Sequence, residues 1–464
     1  MITIKSDRAF ISSLREGIKS ELSFPGDKSV SHRAVMFASL GTGQSRIHNL
    51  SLSRDNMATV SCFRKLGVKI EKVTDKAEGS PVFVVNGNGL YGLKEPSTAL
   101  YTANSGTLTR IIPGILCGNP FFSVLYGDKY LNSRPMKRIM EPLRLMGARI
   151  TGRSGGNYPP LSIEGSKLKS IFYETKVPSA QVKSCIMFAA LYAEGTTTIY
   201  EKKITRDHTE NFLRLLGYPF SVETNIPQGN GQGCIVSIKG GRELEPFEIA
   251  VPGDFSSASF FIALGLLLNG SEIEIRNVLL NDKRTGLLKV LKMMGADIEV
   301  RIEDNKLEKT GTIRVRHSEV NGVFVPGEIV PDMIDEFPVF SIIASFASGT
   351  TRVSGAKELR VKETDRIKAI VLNLTKIGIK ANEFEDGFEI EGNPSLSSRD
   401  YGKKFKNSGR IVMESFGDHR IAMSMVILGL LIKGADFSVK DVRCVNTSFP
   451  EFFDIIKGVT SHGE

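Results

Sequence analysis

The sequence predicts an α/β protein of two similar domains, each built from three copies of one unit. Three observations predict it. First, an apolar helical stretch, a glycine and a strand-like run recur at Gly41, Gly118, Gly195, Gly270, Gly349 and Gly434, in stretches such as "LGTGQSRIHNL" and "AEGTTTIYEKKI". Successive members lie 77, 77, 75, 79 and 85 positions apart. Second, another glycine follows each of these after 22 to 29 residues, at Gly67, Gly147, Gly217, Gly295, Gly378 and Gly458, as in "KLGVKIEK" and "MMGADIEV". Third, the 464 residues divide into six such units of about 77 residues.

Within a unit, each glycine suits the left-handed residue that ends a helix. The runs that follow have strand chemistry. Each unit therefore reads strand, helix, strand, helix, strand. Six units exceed what one core serves, so three per domain are expected. The expected partition is 24–245 for one domain and 1–23 with 246–464 for the other, closed by the N-terminal strand. A solenoid fits poorly, because its repeats are much shorter than this unit.

Composition narrows the function. Apolar residues make up 41% and charged residues 24%, as in ordinary globular proteins. The five cysteines are scattered without a CxxC pair, which fits thiols packed as small apolar residues in a reducing compartment. The N-terminal stretch "MITIKSDRAFISSLREG" has no apolar h-region, and "IAMSMVILGLLI" is too short to span a bilayer. A cytoplasmic protein is expected. The net charge is +9, yet no dense Lys/Arg run and no Trp accompany it. That disfavours nucleic acid and favours a concave site for an anionic metabolite.

The polar signatures fall where a strand ends and a helix begins. There, free backbone N–H groups and the helix dipole favour anions. "FPGDKSVSHRAVMF" places Lys28 and Ser29 at a helix start, with Arg33 on the face of Ser29. "YTANSGTLTRIIPGIL" offers Asn104, Ser105 and Gly106 before an apolar helix. Arg134 precedes Pro135 at another helix start. Ser179, Gln181 and Lys183 open the next helix, and Arg206, Asp207 and His208 the one after. In the second half, Asp332, Asp335 and Glu336 lead into an apolar helix. "KELRVKETDRIKAI" is dense in charge, and a helix starting near Glu363 would bring Lys362, Glu363 and Arg366 together. Asp418, His419 and Arg420 precede a helix that is apolar almost all round. Each stretch, taken alone, also reads as a capped helix start or a solvated turn. Together they describe many cations and few carboxylates. No His/Cys cluster has metal spacing, and no GxGxxG is placed for a dinucleotide. Two anionic small molecules held between the halves are expected, with Asp335 and Glu363 as acid/base candidates.

The motifs "PGDKSVSHRA", "ANSGTLTR", "RPM", "NYPPL", "SAQVKS", "GDFSSASFF", "RVKETDRI" and "GDHRIAMS" stand in that order. The chain thereby resembles the 5-enolpyruvylshikimate-3-phosphate synthase family of enolpyruvyl transferases from about Phe24 to Pro450. The resemblance implies two domains of three βαβαββ units, with the active site in the interdomain cleft. It implies transfer of the enolpyruvyl group of phosphoenolpyruvate to the 5-hydroxyl of shikimate 3-phosphate, with phosphate released. No metal and no cofactor is implied, the partners are the two small substrates, and a monomer is expected.

Carried over by motif, Lys28 resembles the lysine that reaches both substrates. Ser29, Arg33, Ser179, Ala180, Gln181, Arg206, Asp335 and Lys362 fall on the shikimate 3-phosphate side. Asn104, Gly106, Arg134, Gln181, Arg366, His419 and Arg420 fall on the phosphoenolpyruvate side. Asp335 matches the aspartate that takes the hydroxyl proton, and Glu363 matches the proton donor to the methylene carbon. Four positions depart from the pattern. Thr447 stands where a lysine is usual, Ala180 replaces a serine, Glu358 an asparagine, and Ser105 a smaller residue. Arg206 is the expected substitute for the missing lysine. The sister enzyme acting on UDP-N-acetylglucosamine is disfavoured, because it uses a cysteine where this chain has Glu363. A basic nucleic-acid-binding protein is the reading from another class.

Overall fold

A computed structural model describes residues 2–14, 17–74, 81–228, 231–405 and 409–461. The chain forms two compact units. One comprises Pro25–Pro252 with Lys306–Glu308; the other comprises Met1–Phe24, Gly253–Asn305 and Lys309–Glu464. The later crossing falls at Pro252/Gly253, not at 245/246 as the sequence suggested. The reason is a short strand, Glu248–Ala250, which pairs in parallel with Thr42–His48 and so belongs to the Pro25–Pro252 unit.

Each unit contains three four-stranded sheets of one order. Take Phe172–Glu174, Thr196–Glu201, Gly231–Lys239 and Phe220–Gln228. The first pair is parallel and the other two pairings are antiparallel. The parallel pair needs a crossover, and the helix Ala180–Ala190 supplies it. A second helix, His208–Leu215, precedes the closing antiparallel pair. This is the βαβαββ content expected of one repeat.

Besides the sheet joined by Glu248–Ala250, two more sheets are completed from a distance. Lys19–Leu22 pairs in parallel with Glu272–Leu279. The N-terminal hairpin Ile2–Lys5/Arg8–Ser12 adds to Asp436–Lys440, which also pairs with Ile411–Glu414. That hairpin explains a departure from the glycine pattern. Gly458 was expected to end a helix, yet it lies inside the terminal helix Phe452–Ser461. The strands that would follow it come from the N-terminus instead. Nine of the other eleven glycines do take positive φ, Gly67 at 86° and Gly349 at 88° among them; Gly41 and Gly118 do not.

The crossover helices form the cores. All thirteen residues of Phe255–Leu267 and of His419–Leu431 are buried. Helices apolar on every face can only be interior. Their starts carry acceptors for the otherwise unmet N–H groups. Asp27 accepts from Ser29 and Val30 N–H, Ser105 from Leu108, Asp254 from Ser257 and Asp418 from Arg420. Four cysteines are buried and Cys444 is partly so, all as free thiols. Burial pushes the Cys62 thiol up to about 12, which leaves it an inert packing group. Among the described residues, no helix is long and apolar enough to cross a membrane.

Candidate active site

The Pro25–Pro252 unit brings the starts of three crossover helices into one polar cluster. They are Lys28–Leu40, Gly106–Leu116 and Ala180–Ala190. Lys28 forms an ion pair of 2.5 Å with the buried Asp55, and its carbonyl accepts from Asn56 Nδ2 at 3.0 Å. Arg33 is buried and fully engaged: Nε donates to Thr209 Oγ1 (2.7 Å), Nη2 to Ser184 Oγ (2.7 Å) and Nη1 to the Ser29 carbonyl (2.9 Å). Burial lowers its pKa to about 10, so it stays charged at neutral pH.

Arg134 Nη2 donates to Asn104 Oδ1 at 2.7 Å, which joins two residues expected on one substrate side. A Cβ on Gly106 would sit 3.2 Å from both the Arg110 and Arg134 guanidinium groups, so glycine keeps these cations close to the helix start. Arg110 Nη1 donates to Gln181 Oε1 at 2.9 Å, and Gln181 Nε2 donates to Thr107 Oγ1 at 3.2 Å. Ser179 occupies the cap position beside Ala180 without spending its hydroxyl on the helix backbone.

Lys183 departs from its expected place. It points into the protein, where Nζ meets Glu201 at 2.8 Å and Glu210 at 2.6 Å, all three side chains being buried. Burial opposes its charge, but Glu210 and Glu201 outweigh it and hold the pKa above the usual lysine value. Glu201 Oε1 also accepts from Thr205 Oγ1 at 2.5 Å, which pins the turn that carries Arg206. His208, a candidate beside it, places Nδ1 2.8 Å from Glu308 Oε1 in the interior, where the carboxylate oxygen accepts.

His32 was left without a role by the sequence. Its ring is buried, with Nδ1 2.6 Å from Thr59 Oγ1 and Nε2 3.3 Å from Ser105 Oγ. Burial, then Lys28 and Arg33, hold its pKa well below the usual value. The folded chain thus refuses a proton that the unfolded chain accepts, so stability falls as pH drops below about 6.5. Urea midpoints taken near about pH 7.5 and 5.5 should fall further for the parent than for His32→Asn. Equal falls would remove this assignment.

The other unit carries the two acid/base candidates, Asp335 and Glu363. Arg366 is 1% exposed and is the hub. Its Nε donates to Asp418 Oδ2 (2.8 Å) and Nη2 to Glu363 Oε2 (2.7 Å), while Nη1 lies 3.6 Å from Asp335 Oδ1. Burial opposes its charge, and Asp418, Glu363 and Asp335 together push its pKa above the ordinary arginine value. The helix begins at Arg366 rather than near Glu363, because Asp365 takes the cap and accepts from Lys368 N–H. Lys362 and Glu363 remain outside the helix with their side chains near Asp335 and Arg366.

Three cations approach Asp335: Arg284 at 3.2 Å, Arg366 at 3.6 Å and Lys362 at 4.0 Å. Arg420 Nη1 donates to the Asp335 carbonyl at 3.0 Å. His419 is the first residue of the buried helix, beside the Asp418 cap. Among the described residues, no group of three His, Cys, Asp or Glu side chains could hold a metal ion.

The candidates therefore divide by unit. Lys28, Ser29, Arg33, Asn104, Gly106, Arg134, Ser179, Ala180, Gln181 and Arg206 lie in one; Asp335, Lys362, Glu363, Arg366, His419 and Arg420 lie in the other. Sequence reasoning missed Asp55 and Arg284. Its only available signal for them was a charged residue beside a helix start.

Six βαβαββ repeats in two units, with polar helix starts in each, define the enolpyruvyl transferase fold. The solved structure of the enolpyruvyl transferase NikO from Streptomyces tendae shares that fold, with a TM-score of 0.69 over 98% of both chains at 15% identity. The chain belongs to the EPSP synthase (3-phosphoshikimate 1-carboxyvinyltransferase) family, whose model matches residues 14–456. It is 47% identical over 445 residues to the 3-phosphoshikimate 1-carboxyvinyltransferase of Citrifermentans bemidjiense, covering 96% of this chain and 97% of that one. The enzyme of that name from Bacillus licheniformis is 42% identical over 441 residues, 95% of this chain and 97% of the other. The solved EPSP synthase of Acinetobacter baumannii is 38% identical, with a TM-score of 0.82 over 98% of both chains.

Proposed function

We propose that this protein transfers the enolpyruvyl group of phosphoenolpyruvate to the 5-hydroxyl of shikimate 3-phosphate, releasing phosphate. One observation carries the chemistry. Glu363 and Asp335 both face the buried Arg366 guanidinium, so the two carboxylates that would move protons belong to one cluster.

In the first step Asp335 accepts the proton of the 5-hydroxyl as that oxygen attacks C2 of phosphoenolpyruvate. Glu363 gives its proton to C3, and the double bond becomes a methyl group on a tetrahedral carbon. In the second step the C–O bond to phosphate breaks, the departing phosphate takes the proton held by Asp335, a methyl proton returns to Glu363, and the enol ether forms. Lys28, Arg134, Arg366, His419 and Arg420 serve the carboxylate and phosphate of phosphoenolpyruvate, with Asn104, Gly106 and Gln181 beside them. Lys28, Ser29, Arg33, Ser179, Ala180, Gln181, Arg206, Asp335 and Lys362 serve shikimate 3-phosphate. Such preformed charges cost no reorganisation when the reaction occurs.

The test is phosphate release by the purified protein. Release is expected only when both substrates are present together. Release from phosphoenolpyruvate alone, or none with both, would sink this reading.

A further inference from the structure

Behind Asp335 lies a second layer of buried charge that the reaction just described does not use. Glu336 is fully buried, and its Oε1 accepts a short hydrogen bond from Ser256 Oγ. The same hydroxyl oxygen accepts from Arg284 Nη2 at 2.9 Å. Arg284, 2% exposed, reaches forward with Nη1 to Asp335 Oδ2 at 3.2 Å. Arg420 Nη1 lies 3.8 Å from the same Glu336 oxygen, Oε1, while it donates to the Asp335 carbonyl. Glu336 is thus linked to two arginines, to Arg284 through Ser256 and to Arg420 directly, and each of them touches Asp335. Its second oxygen, Oε2, is buried with no hydrogen-bond partner among the described residues.

The placement is costly, which argues for a use. Burial pushes the Glu336 carboxyl up, and Arg284 and Arg420 pull it back down. Buried ionic clusters of this kind are weak contributors to stability compared with apolar packing. They do fix geometry, since a charge with one partner position has one low-energy orientation. The four side chains come from separate elements. Ser256 opens the helix Phe255–Leu267, Arg284 precedes Gly286–Met293, Glu336 precedes Phe337–Phe346, and Arg420 opens His419–Leu431. The cluster ties those helix starts to one another.

We propose that Arg284 and Glu336 are positioning residues: Glu336, through Ser256, aims Arg284 at the Asp335 carboxylate, and directly restrains Arg420. The inference rests on the proposed transfer reaction, in which Asp335 takes the hydroxyl proton and Arg420 meets phosphoenolpyruvate. Neither Arg284 nor Glu336 needs to touch a substrate. Their effects should separate. Loss of Arg284 disturbs the base and should appear in kcat. Loss of the Glu336 charge loosens Arg420 and should appear in the KM for phosphoenolpyruvate.

The experiment is steady-state phosphate release with both substrates varied, on the whole chain. Arg284→Gln should lower kcat by about 10- to 100-fold, the scale of a misplaced reacting group, and Arg284→Lys should recover part of it. Glu336→Gln keeps the shape and the bond to Ser256 but removes the charge. It should raise the KM for phosphoenolpyruvate about tenfold and change kcat by less than about threefold. Ser256→Ala, which deletes only the bridging hydroxyl, should move kcat as Arg284→Gln does, by a smaller factor. Kinetics within about twofold of the parent in all three would overturn the proposal, as would equal changes in kcat and KM everywhere. Loss of cooperative unfolding in all three would overturn it too, by making the cluster a scaffold. A parent protein that releases no phosphate with both substrates would instead refute the transfer reaction itself.

Discussion

Glu363→Gln is expected to lose about 10²- to 10⁴-fold in kcat, the range for a positioned acid or base. The amide keeps the size of the carboxyl, and its oxygen can still accept from Arg366 Nη2, which now holds Glu363 Oε2 at 2.7 Å. What it loses is the transferable proton. The partly exposed side chain is 18% accessible, so it can meet a substrate while its carboxyl group is held from behind by a buried guanidinium. The measurement is phosphate release at saturating substrates, with thermal unfolding run alongside. A variant within about threefold of the parent kcat would take the proton-donor role away from Glu363.

The second large effect concerns stability. Lys183→Met is expected to cost about 3–5 kcal/mol, the usual result of removing one partner from a buried ionic group. The methionine fills much of the lysine's volume but leaves Glu201 and Glu210 buried without their cation. Burial already pushes the Glu210 carboxyl up despite Lys183, and without that lysine the largest opposing charge is gone. Urea denaturation measures the loss. The double variant Lys183→Met/Glu210→Gln should regain part of it, because one buried charge is gone. A single-variant loss below about 1 kcal/mol would mean that the three groups are not coupled as the geometry requires.

Much of the architecture was legible from one signal. A glycine that ends a helix is a local event, and repetition makes it visible along the chain. The helix starts at Lys28, Gly106, Ala180 and His419 were legible for the same reason, since a cap and the apolar run after it are neighbours in sequence. The pairings were not legible. Nothing local marks Asp55 as the partner of Lys28, or Ser256 as the partner of Glu336, 80 positions away. Lys183 looked like one more cation at a helix start, and only the fold shows that two carboxylates await it inside. The start of the helix at Arg366 was misplaced because Glu363, Thr364 and Asp365 are all plausible first-turn or cap residues; only Asp365 has its carboxylate over the open N–H groups. The crossing at Pro252 was missed because the strand Glu248–Ala250 is three residues long, too short for periodicity to show.

The borrowed strands at the N-terminus also set an order of assembly. Arg8–Ser12 pairs with its neighbour Ile2–Lys5 and with the distant Asp436–Lys440, and Lys19–Leu22 pairs with Glu272–Leu279. Ser12 and Asp436, hydrogen-bonded in the finished sheet, are separated by 424 positions. Every strand of the three sheets in Pro25–Pro252 has been made before Gly253 leaves the ribosome. On the growing chain the middle of the sequence can therefore close its sheets while Arg8–Ser12 and Lys19–Leu22 still lack their later partners, the kind of exposed strand edge that invites wrong pairing. The sheet that holds Arg8–Ser12 is closed only once Asp436–Lys440 has been made.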